Sequence, residues 1–166
     1  MDSNSPTART WAEIDLSALL FNFQLARKCG KKVMCVIKAD AYGHGAVRCG
    51  RFLEEHGADA FAVACLAEAR ALRAGGIRAP ILILGYTGAE SVKELYELSL
   101  VQTFVDESHA NEFALAARAA GVCVKGHVKL DTGMSRAGIF AQGEEAGQAA
   151  ALAVARIMAL GGIAVT

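Results

Sequence analysis

Val33-Met34-Cys35-Val36-Ile37-Lys38-Ala39-Asp40-Ala41-Tyr42-Gly43-His44-Gly45 begins with five apolar residues in a row and runs into a lysine and a loop of small residues. A short, continuous, β-branched-rich run predicts a strand buried on both faces, as in a parallel sheet. Lys38 then stands where that strand ends, and in parallel α/β folds ligands bind outside the carboxyl ends of the strands. An ammonium held against apolar surface loses hydration, which favours the amine form. An amine is a nucleophile that forms Schiff bases with aldehydes, pyridoxal phosphate among them. Gly43 and Gly45 let the backbone come close to a bound group, and Tyr42 supplies a hydroxyl beside them. Spacing alone suits equally a lysine that ends a strand and faces solvent, where most lysines are found.

Outward from this stretch the pattern repeats. Apolar runs begin near residues 33, 60, 81, 101 and 124, and between them lie helical patterns closed by glycine, as at Gly57, Gly75-Gly76 and Gly121. Upstream, Trp11 to Ile14 alternates like a short strand, and Asp15 is a candidate N-cap for a helix with the stripe Leu16, Leu19, Leu20 and Phe23. Ser91-Val92-Lys93-Glu94 has the form of a capping box. A long helix is expected from about Glu144 to Leu160, before the apolar Ile163-Ala164-Val165. Repeated strand–helix units predict an α/β fold with a parallel sheet and right-handed crossovers. Periodicity leaves open whether that sheet closes into a barrel.

Composition narrows the function. The chain has 166 residues, 54% hydrophobic and 20% charged, with a formal net charge of zero. That is a globular composition, and it makes no electrostatic case for nucleic acid or an anionic membrane. The five cysteines are scattered without a C-x-x-C pair, so neither a disulfide framework nor a metal site is indicated, and they read as small buried hydrophobes of a reducing cytoplasm. Met1 to Thr10 is polar and carries no apolar signal region. Ala149 to Val165 is apolar enough to suggest a membrane segment, but Arg156 in its middle favours a buried helix followed by a strand.

The run Val122 to Leu130, expected as the fifth strand, carries a second constellation. Side chains alternate along a strand. Val124, Val128 and Leu130 should therefore share a face that packs on helices, and Lys125, His127, Lys129 and Asp131 the other. If that polar face points into the fold, its charges need partners or a ligand. An open sheet edge wetted by solvent is the alternative. His56 and His109 read as surface histidines, and His127 as a packed polar side chain.

Val36-Ile37-Lys38-Ala39-Asp40-Ala41-Tyr42-Gly43-His44-Gly45 resembles the cofactor-lysine signature of the alanine racemases, pyridoxal-phosphate enzymes built on a TIM barrel. Lys129-Leu130-Asp131-Thr132-Gly133-Met134, with Arg136 and Gly138, resembles the second signature, and Trp11 to Leu16 the opening strand and helix. The resemblance implies that Lys38 carries pyridoxal phosphate and is the base on one face of the substrate. It makes Tyr42 a donor to the cofactor phosphate. Arg136 is placed near the cofactor's phenolic oxygen and the substrate carboxylate. Lys129 becomes a lysine that is often carbamylated to position that arginine, with Met134 on the loop between them.

The implied activity is racemisation of L- and D-alanine, supplying D-alanine for cell-wall peptidoglycan in a cytoplasmic homodimer. A serine racemase of the same fold, and a pyridoxal-phosphate-binding barrel protein without catalysis, are the alternatives. A α/β fragment that binds nothing is a third. A complete TIM barrel takes about 250 residues, so residues 1–166 are expected to be the N-terminal part of such a barrel. The later strands and the family's β domain are expected to be absent. The opposite-face tyrosine belongs in the family to the second subunit, so the chain alone is not expected to racemise alanine.

Overall fold

A computed structural model describes residues 10–166; the polar segment before them, part of the stretch searched above for a signal, lies outside the described residues. The chain opens with helix α1 (Leu16–Arg27). Asp15 caps it: the carboxylate accepts from the N–H groups of Ser17 at 2.8 Å and Ala18 at 3.2 Å, two donors that the helix cannot satisfy itself. Phe23 is buried from this helix, and Leu16, Leu19 and Leu20 pack against the same core.

The strands are β1 (Met34–Val36), β2 (Ala60–Val63), β3 (Ile81–Ile83), β4 (Leu100–Phe104), β5 (Val124–Val128), the two-residue strands β6 (Leu130–Asp131) and β7 (Ile139–Phe140), and β8 (Ile163–Val165). Six of them form one parallel sheet in the order β1-β2-β3-β4-β5-β8. Between strands lie α2 (Lys38–Gly43), α3 (Ala46–Glu55), α4 (Leu66–Ala74), α5 (Val92–Glu97), α6 (Glu107–Ala120) and α7 (Glu144–Met158). This is the repeating parallel βα arrangement of the TIM-barrel type. It is open, since β1 and β8 are the two ends of the strand order among the described residues.

Register sorts the side chains into two layers. Cys35, Phe61, Ile81 and Leu100 are successive cross-strand partners; all belong to the main core shared with the helices, where Phe61 and Ile81 are fully buried. On the other face Ala62, Leu82 and Val101 are partners and form a separate small cluster. Lys125 pairs with Val101 and His127 with Thr103, so the polar residues of β5 extend this second face. Gly126 stands behind them on the core side, where an added Cβ would meet Phe104 Cζ at 2.7 Å.

Several expectations are corrected. Trp11 to Ile14 is not a strand. A strand exists by pairing, and no ladder reaches these residues among those described; Glu13 and Ile14 line a cleft against α1 and β1 instead. The fifth strand stops at Val128, and Leu130 and Asp131 pair with β7, which leaves Leu130 exposed. Ser91 caps nothing: a 3₁₀ turn (Ala89–Ser91) runs straight into α5, and Glu94 pairs with Arg70 at 2.5 Å. Among the cysteines only Cys49 is buried, while Cys29, Cys65 and Cys123 are exposed. His109 is a core residue at 2% exposure, stacked on Tyr86 and set edge-on to Phe104 and Phe113. No helix of the described residues is long and apolar enough to cross a membrane.

At the other end of the strands Arg73 closes the helix side. Its guanidinium donates to the carbonyls of Leu98 at 2.8 Å, Ile77 at 2.9 Å, Ala79 at 2.8 Å and Ser99 at 3.1 Å. It thus ties α4, the entry to β3 and the entry to β4. Arg73→Ala would leave these carbonyls without their donor and is expected to cost about 2–4 kcal/mol. Urea unfolding measures it, and Arg73→Lys should recover only part, because an ammonium cannot span the same fork of acceptors.

Candidate active site

Lys38 opens a turn of unusual hand. Ala39, Asp40, Ala41 and Tyr42 all have φ between 50° and 55°, so α2 is a single left-handed turn. Each such residue costs about 1–2 kcal/mol against the right-handed form, roughly 4–8 kcal/mol in all. Conformations of this kind persist only where the surroundings over-determine them, and here the partners can be named. Ala41 N–H donates to Ile37 O at 2.9 Å and Gly45 N–H to Asp40 O at 2.9 Å. The Asp40 carboxylate accepts from Ala46 N–H at 2.7 Å, which starts α3. Glu68, in the first turn of α4, accepts from Ala39 N–H at 2.8 Å through one oxygen and from Ala64 N–H at 2.7 Å through the other. Gly43 and Gly45 have φ of 86° and 87°, the left-handed region that favours glycine, with no other protein atom where a Cβ would stand.

Lys38 lines a cleft of about 550 Å³ at the carboxyl ends of the strands. Ala64 follows β2, Leu84 and Gly85 follow β3, and Thr103, His127 and Lys129 end β4 and β5; Arg136 comes in from the loop beyond β6. Three cationic side chains, Lys38, Lys129 and Arg136, therefore converge here. The ion pairs of the described residues lie elsewhere, Arg70 with Glu94 and Arg156 with Glu107. A concave site of this size with converging cations and no paired carboxylate is built to take an anionic small molecule.

The loop carrying Arg136 is closed by Asp131. Its carboxylate turns back on its own backbone and accepts from Gly133 N–H at 3.0 Å and Ser135 N–H at 2.9 Å. The N–H groups of Ser135 and then Gly133 hold the carboxyl below its ordinary range; Met134 N–H and the Lys129 charge add to them, and burial opposes. The expected sharing of one face by Lys129 and Asp131 therefore fails: Lys129 reaches the cleft and Asp131 is spent on the loop. Gly138 completes the closure with φ of 117°, where a Cβ would sit 2.9 Å from both Lys129 Cγ and Lys129 O. The β6–β7 bridge is thereby seated on the backbone of Lys129, whose carbonyl accepts from Ile139 N–H at 2.9 Å.

Lys38, Lys129 and Arg136, the residues singled out from the two motifs, are brought together. Tyr42 and Met134 stand apart from that cleft. Tyr42 is exposed and lines the neighbouring cleft of about 390 Å³ with Glu13, Ile14 and Asn22. Met134 is exposed, with its Sδ accepting from Arg136 Nη2 at 2.8 Å. Sequence reading missed Glu68, which carried only the signal of an acidic residue in a helix's first turn. It also missed the buried Gln102 and His109. Gln102 Nε2 donates to Gly85 O at 2.8 Å and His109 Nε2 to Thr87 O at 2.9 Å, so both hold the loop that forms one wall of the cleft.

A family model described as "Alanine racemase, N-terminal domain" matches residues 14–165. "Alanine racemase 1" of Clostridium acetobutylicum is 44% identical over 132 residues, covering 78% of this chain and 34% of the relative. An alanine racemase of Pseudomonas syringae pv. syringae is 46% identical over 148 residues, covering 88% of this chain and 41% of the relative. Among solved structures, an alanine racemase of Clostridium difficile 630 in complex with cycloserine superposes with a TM-score of 0.85 at 36% identity, over 97% of this chain and 44% of that one. The chain thus spans about a third to two-fifths of the length of these curated relatives. With a parallel βα sheet, both motifs at one cleft and a family match over almost its whole described length, the chain belongs to the alanine racemase family.

Proposed function

We propose that this chain is the N-terminal barrel part of a pyridoxal-phosphate-dependent alanine racemase and supplies its cofactor lysine and its anion-binding cations. The observation that carries this reading is the convergence of Lys38, Lys129 and Arg136 on one cleft without a paired carboxylate. The donor set fits pyridoxal phosphate, which needs a primary amine for its aldehyde and cations for its charges, in a cleft of ligand size. When bound, that cofactor supplies the conjugated ring that spreads the charge left by a departing α-proton.

The chain's own residues do the rest. Lys38 Nζ would hold the cofactor and, once the substrate's amine has displaced it, would be free to take or return the α-proton on one face of the substrate. Arg136 receives the substrate carboxylate with the paired N–H groups of its fork. A carbamate on Lys129, which the resemblance implies, would turn that lysine from one of the cleft's cations into an anion facing the Arg136 guanidinium. The resemblance assigns the cofactor phosphate to Tyr42, an exposed phenol on the same left-handed turn as Lys38; from its place on the neighbouring cleft it would have to turn toward that phosphate, while Met134 steadies the Arg136 fork through its sulfur. A second group must serve the opposite face, because one base cannot reach both sides of a planar carbanion; the reading assigns it to the partner subunit of a cytoplasmic homodimer making D-alanine for peptidoglycan. The relatives named above act on alanine by their names, which supports alanine over serine.

Two outcomes are expected. The protein mixed with pyridoxal phosphate, reduced with borohydride and digested should carry the label on the Lys38 peptide, and Lys38→Ala should lose it. A label on Lys129 or Lys125 with none on Lys38 would overturn the assignment. The second concerns the loop that presents Arg136. Because the folded state holds Asp131 below its ordinary range, the charged form stabilises the loop above the unfolded value of about 3.9. That contribution is lost as pH falls through the lower folded value. Protection of the Gly133 and Ser135 amides from hydrogen exchange should therefore hold from neutral pH to about 4 and collapse below it. In Asp131→Asn protection should be weaker and independent of pH, since an uncharged acceptor replaces the carboxylate.

A further inference from the structure

Both ends of the left-handed turn are held by a carboxylate. Asp40 ties the far end to the start of α3 through Ala46 N–H. The near end is held by Glu68, and its two contacts are of different kinds. The bond to Ala64 N–H is local, four residues back along the chain, and caps the approach to α4. The bond to Ala39 N–H crosses 29 residues and grips the peptide unit that Lys38 itself begins. Fixing that peptide fixes the backbone torsion of Lys38 and hence the direction of its Cα–Cβ bond. Ala64, the other donor, lies on the wall of the same cleft that Lys38 lines. One carboxylate therefore sets the lysine's peptide and the opposite wall at a fixed spacing. A glutamate serving only to cap α4 would have no reason to reach Ala39.

We propose that Glu68 is the positioning residue for Lys38: acting through the Lys38–Ala39 peptide, it holds the left-handed turn against the end of β2 and so directs the lysine amine into the cleft. This rests on the reading of Lys38 as the cofactor lysine. Glutamine at position 68 offers one acceptor and one NH₂ group, so it can satisfy one of the two amides and must turn a donor toward the other.

The test compares the wild-type chain with Glu68→Gln and Glu68→Asp, the latter keeping the charge but shortening the reach by one methylene; Asp carries the test should the Gln variant not fold. Without any cofactor, hydrogen exchange at Ala39 N–H should quicken about tenfold or more in a variant whose urea midpoint stays near wild type, the change expected for a lost charge-assisted hydrogen bond. After addition of pyridoxal phosphate, the variant should still take the borohydride label at Lys38 but lose the visible circular dichroism that a cofactor held in one orientation gives. A folded variant with wild-type exchange at Ala39 and wild-type dichroism would overturn the role of Glu68 and leave the cofactor reading standing. A wild-type chain that takes no label at Lys38 would overturn the cofactor reading itself, and this inference with it.

Discussion

The left-handed turn from Ala39 to Tyr42 is the constraint on which the site depends. Four consecutive residues with Cβ atoms sit in a region that chirality disfavours, and the surrounding fold is arranged to keep them there. The turn follows β1 without a linker, so Lys38 leaves the sheet at a fixed height and the chain reverses into α3 within a few residues. Ile37, buried at its base, anchors the turn in the main core. Asp40 and Glu68 grip its two ends. A right-handed turn over the same residues would redirect the chain after Ala39 and break the contact of the Asp40 carboxylate with the start of α3.

Electrostatics completes what the turn begins. The cleft gathers Lys38, Lys129 and Arg136, and the acidic groups nearest in sequence are occupied with backbone donors instead of these cations: Asp40 with Ala46, Glu68 with Ala39 and Ala64, Asp131 with Gly133 and Ser135. The carboxylates thus shape the cleft without neutralising it, and its positive charge remains available to a ligand. The wall formed by the β3 loop is stiffened in the same manner by Gln102 and His109, whose burial in the core lets each hold a loop carbonyl.

The two faces of the sheet explain why a site forms at one end of it. The core face joins one large apolar cluster with the helices. The other face has only Ala62, Leu82 and Val101 as a buried cluster, and β5 adds Lys125 and His127 to it. The cleft opens where this second face meets the strand ends, so Leu82 and Thr103 form its floor beside the cationic rim.

The parallel βα fold was legible in the sequence because both of its signals are local. Continuous apolar runs such as Ile81–Ile83 and the α6 stripe Ala110, Phe113, Ala114 and Ala117 follow from periodicity alone, and both occur where that periodicity puts them. Lys38, Lys129 and Arg136 were legible because long motifs carry them. Tertiary structure alone decided the rest. Trp11–Ile14 lacks the neighbour that alternation needs to become a strand. His109, polar by composition, is buried because the Thr87 carbonyl and three aromatic rings surround it. Glu68 meets Ala39 across 29 residues, a partner for the near end of the left-handed turn that no local pattern announces. Propensity and pattern act over a few residues, whereas the choice of hydrogen-bond partner for a carboxylate or a strained backbone is made by whatever the completed fold brings within about 3 Å.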